Sequence, residues 1–207
     1  MTKLLSTAQM AEFANSGCLF FEGLIDEDIN KEFLNDIGHT DIDDVDNIQH
    51  YFQNIKSSSS IPRIPAGTAL KDAYPLNSPL EKIFKNEIVS GAINSLVGSK
   101  TVVDHQFLHL TFPSKYYAKA NQRQMSQVNH QDSTIDPRTT FDIQLFYFPT
   151  AVTKEMGGTR YIPGTHLRIV NEMGIAKYQN IKSQKNIICK AGTIGIFHNG
   201  LWHGAGV

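Results

Sequence analysis

The sequence predicts a mainly β chain of sandwich or jelly-roll type, with helices packed outside one sheet. Three observations lead there. Helical periodicity fills the first part of the chain and stops near residue 98. After residue 100 only short strand patterns follow, separated by Gly and Pro turns. Helices placed before the strands, rather than between them, exclude parallel βαβ units and leave the helices to cover a sheet from outside. A length of 207 residues fits one domain, with a helical part at 1–98 and a jelly-roll part at 99–207.

The elements follow in order. Ser6-Thr7-Ala8-Gln9 has the S-x-x-Q form of a capping box, and Met10, Phe13 and Ala14 share a face behind it. Gly17 stops that helix. Cys18-Leu19-Phe20-Phe21 is a short apolar run suited to a buried strand. Asp26 can cap a second helix carrying Ile29, Phe33, Leu34 and Ile37, with Gly38 as its stop. Residues 38–60 are acidic and then serine-rich, which suggests a surface excursion. Ser78-Pro79-Leu80-Glu81 combines a cap, a Pro at the first helical position and a capping-box Glu. One continuous helix is expected from there to Gly98, with Leu80, Ile83, Phe84, Ile88, Ala92 and Leu96 inward.

Strands are expected at 101–111, 125–130, 141–148, 159–162, 186–190 and 193–198. Within 141–148, Ile143, Leu145 and Tyr147 share one face, while Asp142, Gln144, Phe146 and Phe148 share the other. The first face is core. The second, mixed polar and aromatic, suits either a pocket wall or a half-solvated surface.

Composition excludes several classes. The net charge of −1 argues against a nucleic-acid or polybasic membrane surface, which needs clustered Lys and Arg. No apolar run approaches the roughly 20 residues of a membrane helix. The N-terminus has only a two-Leu apolar stretch and is not a secretory signal. Cys18 and Cys189 are isolated, so a reducing cytoplasm is the expected location.

Chemistry enters at His130-Gln131-Asp132. Residues i and i+2 of a strand point to one side, so an imidazole and a carboxylate emerge together. One distant His would complete a 2-His-1-carboxylate facial triad, which leaves the opposite positions of an octahedral iron open. His203 is a candidate, and the spacing admits His198 as well. A second H-x-D, His39-Thr40-Asp41, sits in the acidic excursion and reads as solvated loop. His105 and His109 share one face of an expected strand, where they either line a pocket or bond within a sheet.

The surrounding residues form an ordered series. Asn129-His130-Gln131-Asp132-Ser133 comes first, then Gly157-Gly158-Thr159-Arg160-Tyr161-Ile162-Pro163-Gly164-Thr165-His166. Ala191-Gly192-Thr193-Ile194-Gly195-Ile196-Phe197-His198 and His203-Gly204-Ala205-Gly206 complete it. The series resembles the phytanoyl-CoA dioxygenase (PhyH)-like family of Fe(II)/2-oxoglutarate-dependent oxygenases. That family carries an H-x-D, a G-G-x-x-x-x-P-G-[ST]-H stretch, an aliphatic strand after a Gly turn and a distal H-G-x-G. The resemblance spans nearly the whole chain, with residues 38–100 matching loosely.

The resemblance implies a double-stranded β-helix of cupin-like form, with helices on one sheet. It implies that His130, Asp132 and His203 bind Fe(II), His203 being preferred over His198 because it begins H-G-x-G. It implies 2-oxoglutarate and O2 as co-substrates, release of succinate and CO2, and oxidation of a small-molecule substrate. Halogenating relatives lack the carboxylate, so Asp132 points to hydroxylation or a related oxidation. Gln127, Gln144 and Phe146 are the candidates for the cofactor shell; Phe146 suits plain core packing equally well. His166 is expected to shape a turn. The family anchors 2-oxoglutarate with an Arg about ten residues past the distal His, whereas the sequence stops at Val207. A longer natural protein, with that Arg and a last barrel strand, is therefore expected. Arg160 is either a substitute anchor or a surface Arg on an edge strand. A non-catalytic metal- or ligand-binding jelly roll is the alternative reading.

Overall fold

The computed structural model describes residues 3–40, 51, 55, 63–110, 128–132, 141–168 and 181–206. Helix α1 (Thr7–Ser16) starts as its pattern requires. Ser6 Oγ accepts from the Gln9 N–H, and the Gln9 side chain accepts from the Ser6 N–H. An N-cap of this kind contributes about 1 kcal/mol. Gly17 ends the helix at φ 77°, and the His166 ring packs so closely on it that a Cβ would collide. β1 (Cys18–Phe21) follows at once, then α2 (Glu27–Asp36). Asp26 stands at the N-cap of α2 without a side-chain cap bond.

The short strands β2 (Thr68–Ala69) and β3 (Val102–Val103) pair with each other. Between them the single helix expected over 79–96 is two helices, α3 (Pro79–Lys85) and α4 (Glu87–Leu96). Asn86 makes the break. Its backbone is extended at φ −52°, ψ 132°, and its Oδ1 accepts from the N–H groups of Ile88 and Val89. A short amide side chain competes well for such donors. The break also shifts the helical phase, so Val89, Ala92 and Ile93 are buried while Ile88 is only half-buried.

Two antiparallel sheets follow. In the first, β7 (Thr193–His198) lies between β1 and β4 (Ile143–Phe148). Ile196 stands opposite Leu19 on one side and Leu145 on the other. In the second, β5 (Thr159–Tyr161) lies between β6 (Lys185–Asn186) and β8 (His203–Ala205). Strand alternation divides the first sheet cleanly. Leu19, Ile194 and Ile196 pack on Phe13, Ile83, Val89 and Ile93 from the helices, with Leu145 and Tyr147 beside them. Cys18, Phe197, Phe146 and Phe148 face the other way, toward Tyr161, Ile187 and Leu201. The layers are therefore helices, sheet, sheet.

Several expectations change. Helices occupy more of the described chain than strands, so it is mixed helix and antiparallel sheet rather than mainly β. The described strands form no closed barrel. The strand expected over 101–111 shrinks to β3, because Gln106 is tied to the Tyr74 hydroxyl and Leu108 and Leu110 pack on the Phe33 cluster without a ladder. Of 186–190, Asn186 stays in a strand and Cys189 bridges Val152. Residues 125–127 lie outside the described residues. The excursion at 38–60 is not wholly superficial. Tyr51 and Ile55 are buried against Phe33 and Ile37, and the Tyr51 hydroxyl lies 2.7 Å from His39 Nδ1. His39 is thus a partnered side chain rather than a solvated one. No described helix is long and apolar enough to cross a membrane.

Candidate metal centre

His130 and His203 meet through their backbones first. The His130 N–H donates to the His203 carbonyl at 2.8 Å, and the His203 N–H returns the bond at 3.0 Å. This antiparallel bridge extends the second sheet beyond β8 and places both imidazoles on one side, 4.5 Å apart. Asp132, two residues after His130, reaches the same side. His130 Nε2 lies 3.1 Å from Asp132 Oδ1, and His203 Nε2 lies 3.2 Å from Asp132 Oδ2. The ligand atoms of the three residues all lie within 4.8 Å of one another.

The ring protons decide what this arrangement can hold. His130 Nδ1 is 2.9 Å from the Val128 carbonyl, and His203 Nδ1 is 3.0 Å from the Leu201 carbonyl. A carbonyl only accepts, so each Nδ1 carries the proton and donates. Neutral imidazoles would then turn two Nε2 lone pairs toward two carboxylate oxygens. That contact is repulsive unless protons or a cation stand between them. Were both rings also protonated at Nε2, their N–H groups and charges would outweigh the burial that pushes the Asp132 carboxyl up, and would hold it well below the usual carboxylate range. Such a donor set, two nitrogens and a carboxylate oriented by backbone partners, suits a divalent metal ion on one face.

His203 is buried, at 6% exposure, while the His130 and Asp132 side chains are about a fifth exposed. The closed side is aromatic. Phe146 and Phe197 stand edge-on to the His203 ring at 6.2 and 6.3 Å. Gln144, two residues from Phe146 on the same face of β4, has a buried Oε1 with no hydrogen-bond partner. Gln127 lies outside the described residues.

His198 stands apart from the triad. Its Nδ1 accepts from the Gly200 N–H at 2.9 Å, and its ring packs against Phe141 and His166. Burial and the nearby His166 push its pKa down to about 4. His166 donates from Nε2 to the Ala14 carbonyl and shapes the turn after β5. His105 and Phe107 stack on each other, and both side chains are exposed. Arg160 is not a surface residue. It is 3% exposed on the central strand β5 and donates to the Oδ1 of buried Asn129. Burial pushes its guanidinium pKa down.

Sequence reasoning passed over Gln131, Phe197 and the two carbonyls. The carbonyls had a readable signal: each belongs to the residue two positions before its His. Phe197 was visible only as part of an aliphatic strand pattern.

The chain carries its His-x-Asp and distal His on a helix-backed pair of antiparallel sheets, a donor set that could hold a metal ion. It belongs to the phytanoyl-CoA dioxygenase (PhyH) family, which it matches over residues 13–207. No curated protein matches the sequence. Solved structures do. One is the non-heme alpha-ketoglutarate-dependent carbocyclase SnoK from nogalamycin biosynthesis, at 14% identity and TM-score 0.54, covering 100% of this chain and 81% of that one. Another is AviO1 from Streptomyces viridochromogenes Tue57, at 13% identity and TM-score 0.57, covering 100% and 89%. A third is HygX from Streptomyces hygroscopicus with iron bound, at 12% identity and TM-score 0.58, covering 97% and 80%. HygX is also known with nickel and 2-oxoglutarate bound. At these identities the likeness speaks for the fold.

Proposed function

We propose that the chain is an Fe(II)/2-oxoglutarate-dependent oxygenase, with residues 1–207 forming one jelly-roll oxygenase domain. One observation carries the reading: both Nε2 atoms face the Asp132 carboxylate while both Nδ1 protons are committed to backbone carbonyls. A cation resolves that arrangement. When bound, iron with 2-oxoglutarate and O2 supplies the oxidation of a C–H bond, coupled to release of succinate and CO2.

The chain's own residues prepare the place. His130, Asp132 and His203 hold the ion from one side. The Val128 and Leu201 carbonyls fix the tautomer and the ring planes. Phe146, Phe197 and the burial of His203 keep water from that side. Gln144 offers its unpartnered Oε1 to an O–H or N–H of a bound molecule, and Gln127 completes the cofactor shell. The Asp132 carboxylate occupies the place where a halogenating enzyme needs halide, which supports hydroxylation or a related oxidation. The substrate is a small molecule; HygX, a structure of the same fold, is known with hygromycin B bound. Cys18 and Cys189 are free thiols, which fits a reducing cytoplasm.

Anaerobic addition of Fe(II) and 2-oxoglutarate is expected to give a weak visible charge-transfer band, and admission of air is expected to release succinate. A chain that takes up stoichiometric iron and gives neither band nor succinate is a metal-binding jelly roll without turnover.

A further inference from the structure

The turn from His198 to His203 delivers the distal member of the triad. Three side chains that do not reach the triad hold this turn: Thr165 Oγ1 accepts the Trp202 N–H at 3.0 Å, and the other two meet at Gly200. From one end, His198 Nδ1 accepts the Gly200 N–H at 2.9 Å, and the His198 carbonyl accepts the Leu201 N–H at 2.8 Å. From the other, Gln131 Nε2 donates to the Gly200 carbonyl at 2.5 Å. Gln131 sits between His130 and Asp132. Strand alternation turns it away from them, so its amide is free to grip the neighbouring turn. Gly200 is the residue that both grips share. A side chain there would press on the His198 ring, with its Cβ 3.2 Å from Nδ1.

We propose that Gln131 and His198 are positioning residues for the metal centre, clamping Gly200 so that His203 Nε2 meets Asp132 at the distance the ion needs. The proposal rests on the metal-centre reading above. Without the clamp, the backbone bridge between His130 and His203 and the bonds of Trp202 to Thr165 and Ile162 still hold the end of the turn. What they leave loose is Gly200-Leu201, and the Leu201 carbonyl orients the His203 ring through Nδ1. A group that orients a ligand in this way changes metal affinity by roughly 10–100-fold in other metal sites.

Co(II) is the probe, because its visible d–d absorption reports ligand geometry. The 207-residue chain is titrated with Co(II) in parallel with Gln131→Leu, His198→Phe and His198→Asn, and the metal-free melting temperature of each is recorded. Leu removes the amide donor at similar volume. Phe removes the ring acceptor, and Asn restores an acceptor at the position of Nδ1. Gln131→Leu and His198→Phe are expected to weaken Co(II) binding by about tenfold or more and to alter the d–d spectrum. His198→Asn is expected to recover most of the affinity. The double variant Gln131→Leu/His198→Phe is expected to lose less than the product of the two single losses, since both act on one turn. Parental affinity and spectrum in Gln131→Leu overturn the proposal while leaving the metal centre standing. So does failure of Asn to outperform Phe at 198, which also decides the matter if Gln131→Leu does not fold. A parent chain that takes up no cobalt removes the metal-centre reading and the proposal with it.

Discussion

The two faces of the β1-β7-β4 sheet are made of different material. The face toward the helices is aliphatic. Leu19, Ile194 and Ile196 are at most 3% exposed and meet Ile83, Val89, Ala92 and Ile93. The face toward the second sheet is aromatic and partly polar, with Phe197, Phe146, Phe148 and Gln144, whose Oε1 has no partner. Branched aliphatic side chains fill space in few rotamers and carry no polar atoms to satisfy. They suit the face whose task is cohesion. Aromatic edges and an unsatisfied amide suit the face that receives a ligand, where some free energy is left to be released on binding. The contrast teaches that stability and chemistry are separated by one pleat of the same strands.

The largest effect should come from breaking the cohesive face. Ile196→Ala empties a site with 0% exposure and is expected to cost about 2–5 kcal/mol in denaturant unfolding. The same variant, kept folded at low temperature, should bind metal as the parent does. A large loss of metal affinity without loss of stability would erase the division between the faces.

Acid comes next, and it acts on the seam where α1 meets the turn at 162–168. Burial and the neighbouring His166 push the His198 pKa down to about 4, against about 6.5 in an unfolded chain. Between those values the unfolded chain binds more protons than the native one, so stability falls as pH drops from about 6.5 to 4. The lowered pKa of His166 has the same sign. Thermal melts at pH 7 and pH 5 check this. His198→Asn should narrow the gap between them, and an unchanged gap would place the acid sensitivity elsewhere.

The smallest effect tests the other face. Gln144→Met removes a buried carbonyl oxygen that has no partner and should stabilise the free chain by about 1 kcal/mol. It should also weaken 2-oxoglutarate or substrate binding. A destabilised variant would mean that Gln144 serves packing alone.

Much of this plan was legible in the sequence, because local rules govern it. The Ser6 box, the Gly17 stop, the alternation in 143–148 and the H-x-D spacing are each set within a few residues. What escaped depends on competition or on distance. Asn86 looks like an ordinary helical residue until its side chain outcompetes the backbone for two N–H groups. Arg160 reads as either a co-substrate anchor or a surface charge on an edge strand, because nothing nearby in sequence shows that β6 and β8 flank it and that Asn129 receives it. β8 is three residues long and begins at the His that matters, too short for any periodicity. The choice between His198 and His203 was open on spacing alone, since one ends a strand and the other follows it by only five residues. The structure separates them by what each ring faces: Phe141 and His166 for one, Asp132 for the other.

That separation is the most direct test of the whole account. Iron bound per chain is measured at saturating Fe(II) under argon for His198→Ala, His203→Ala and Asp132→Ala. His198→Ala should retain one ion, more weakly held than in the parent, while His203→Ala and Asp132→Ala should retain none. Iron kept by His203→Ala and lost from His198→Ala would contradict the assignment of the triad.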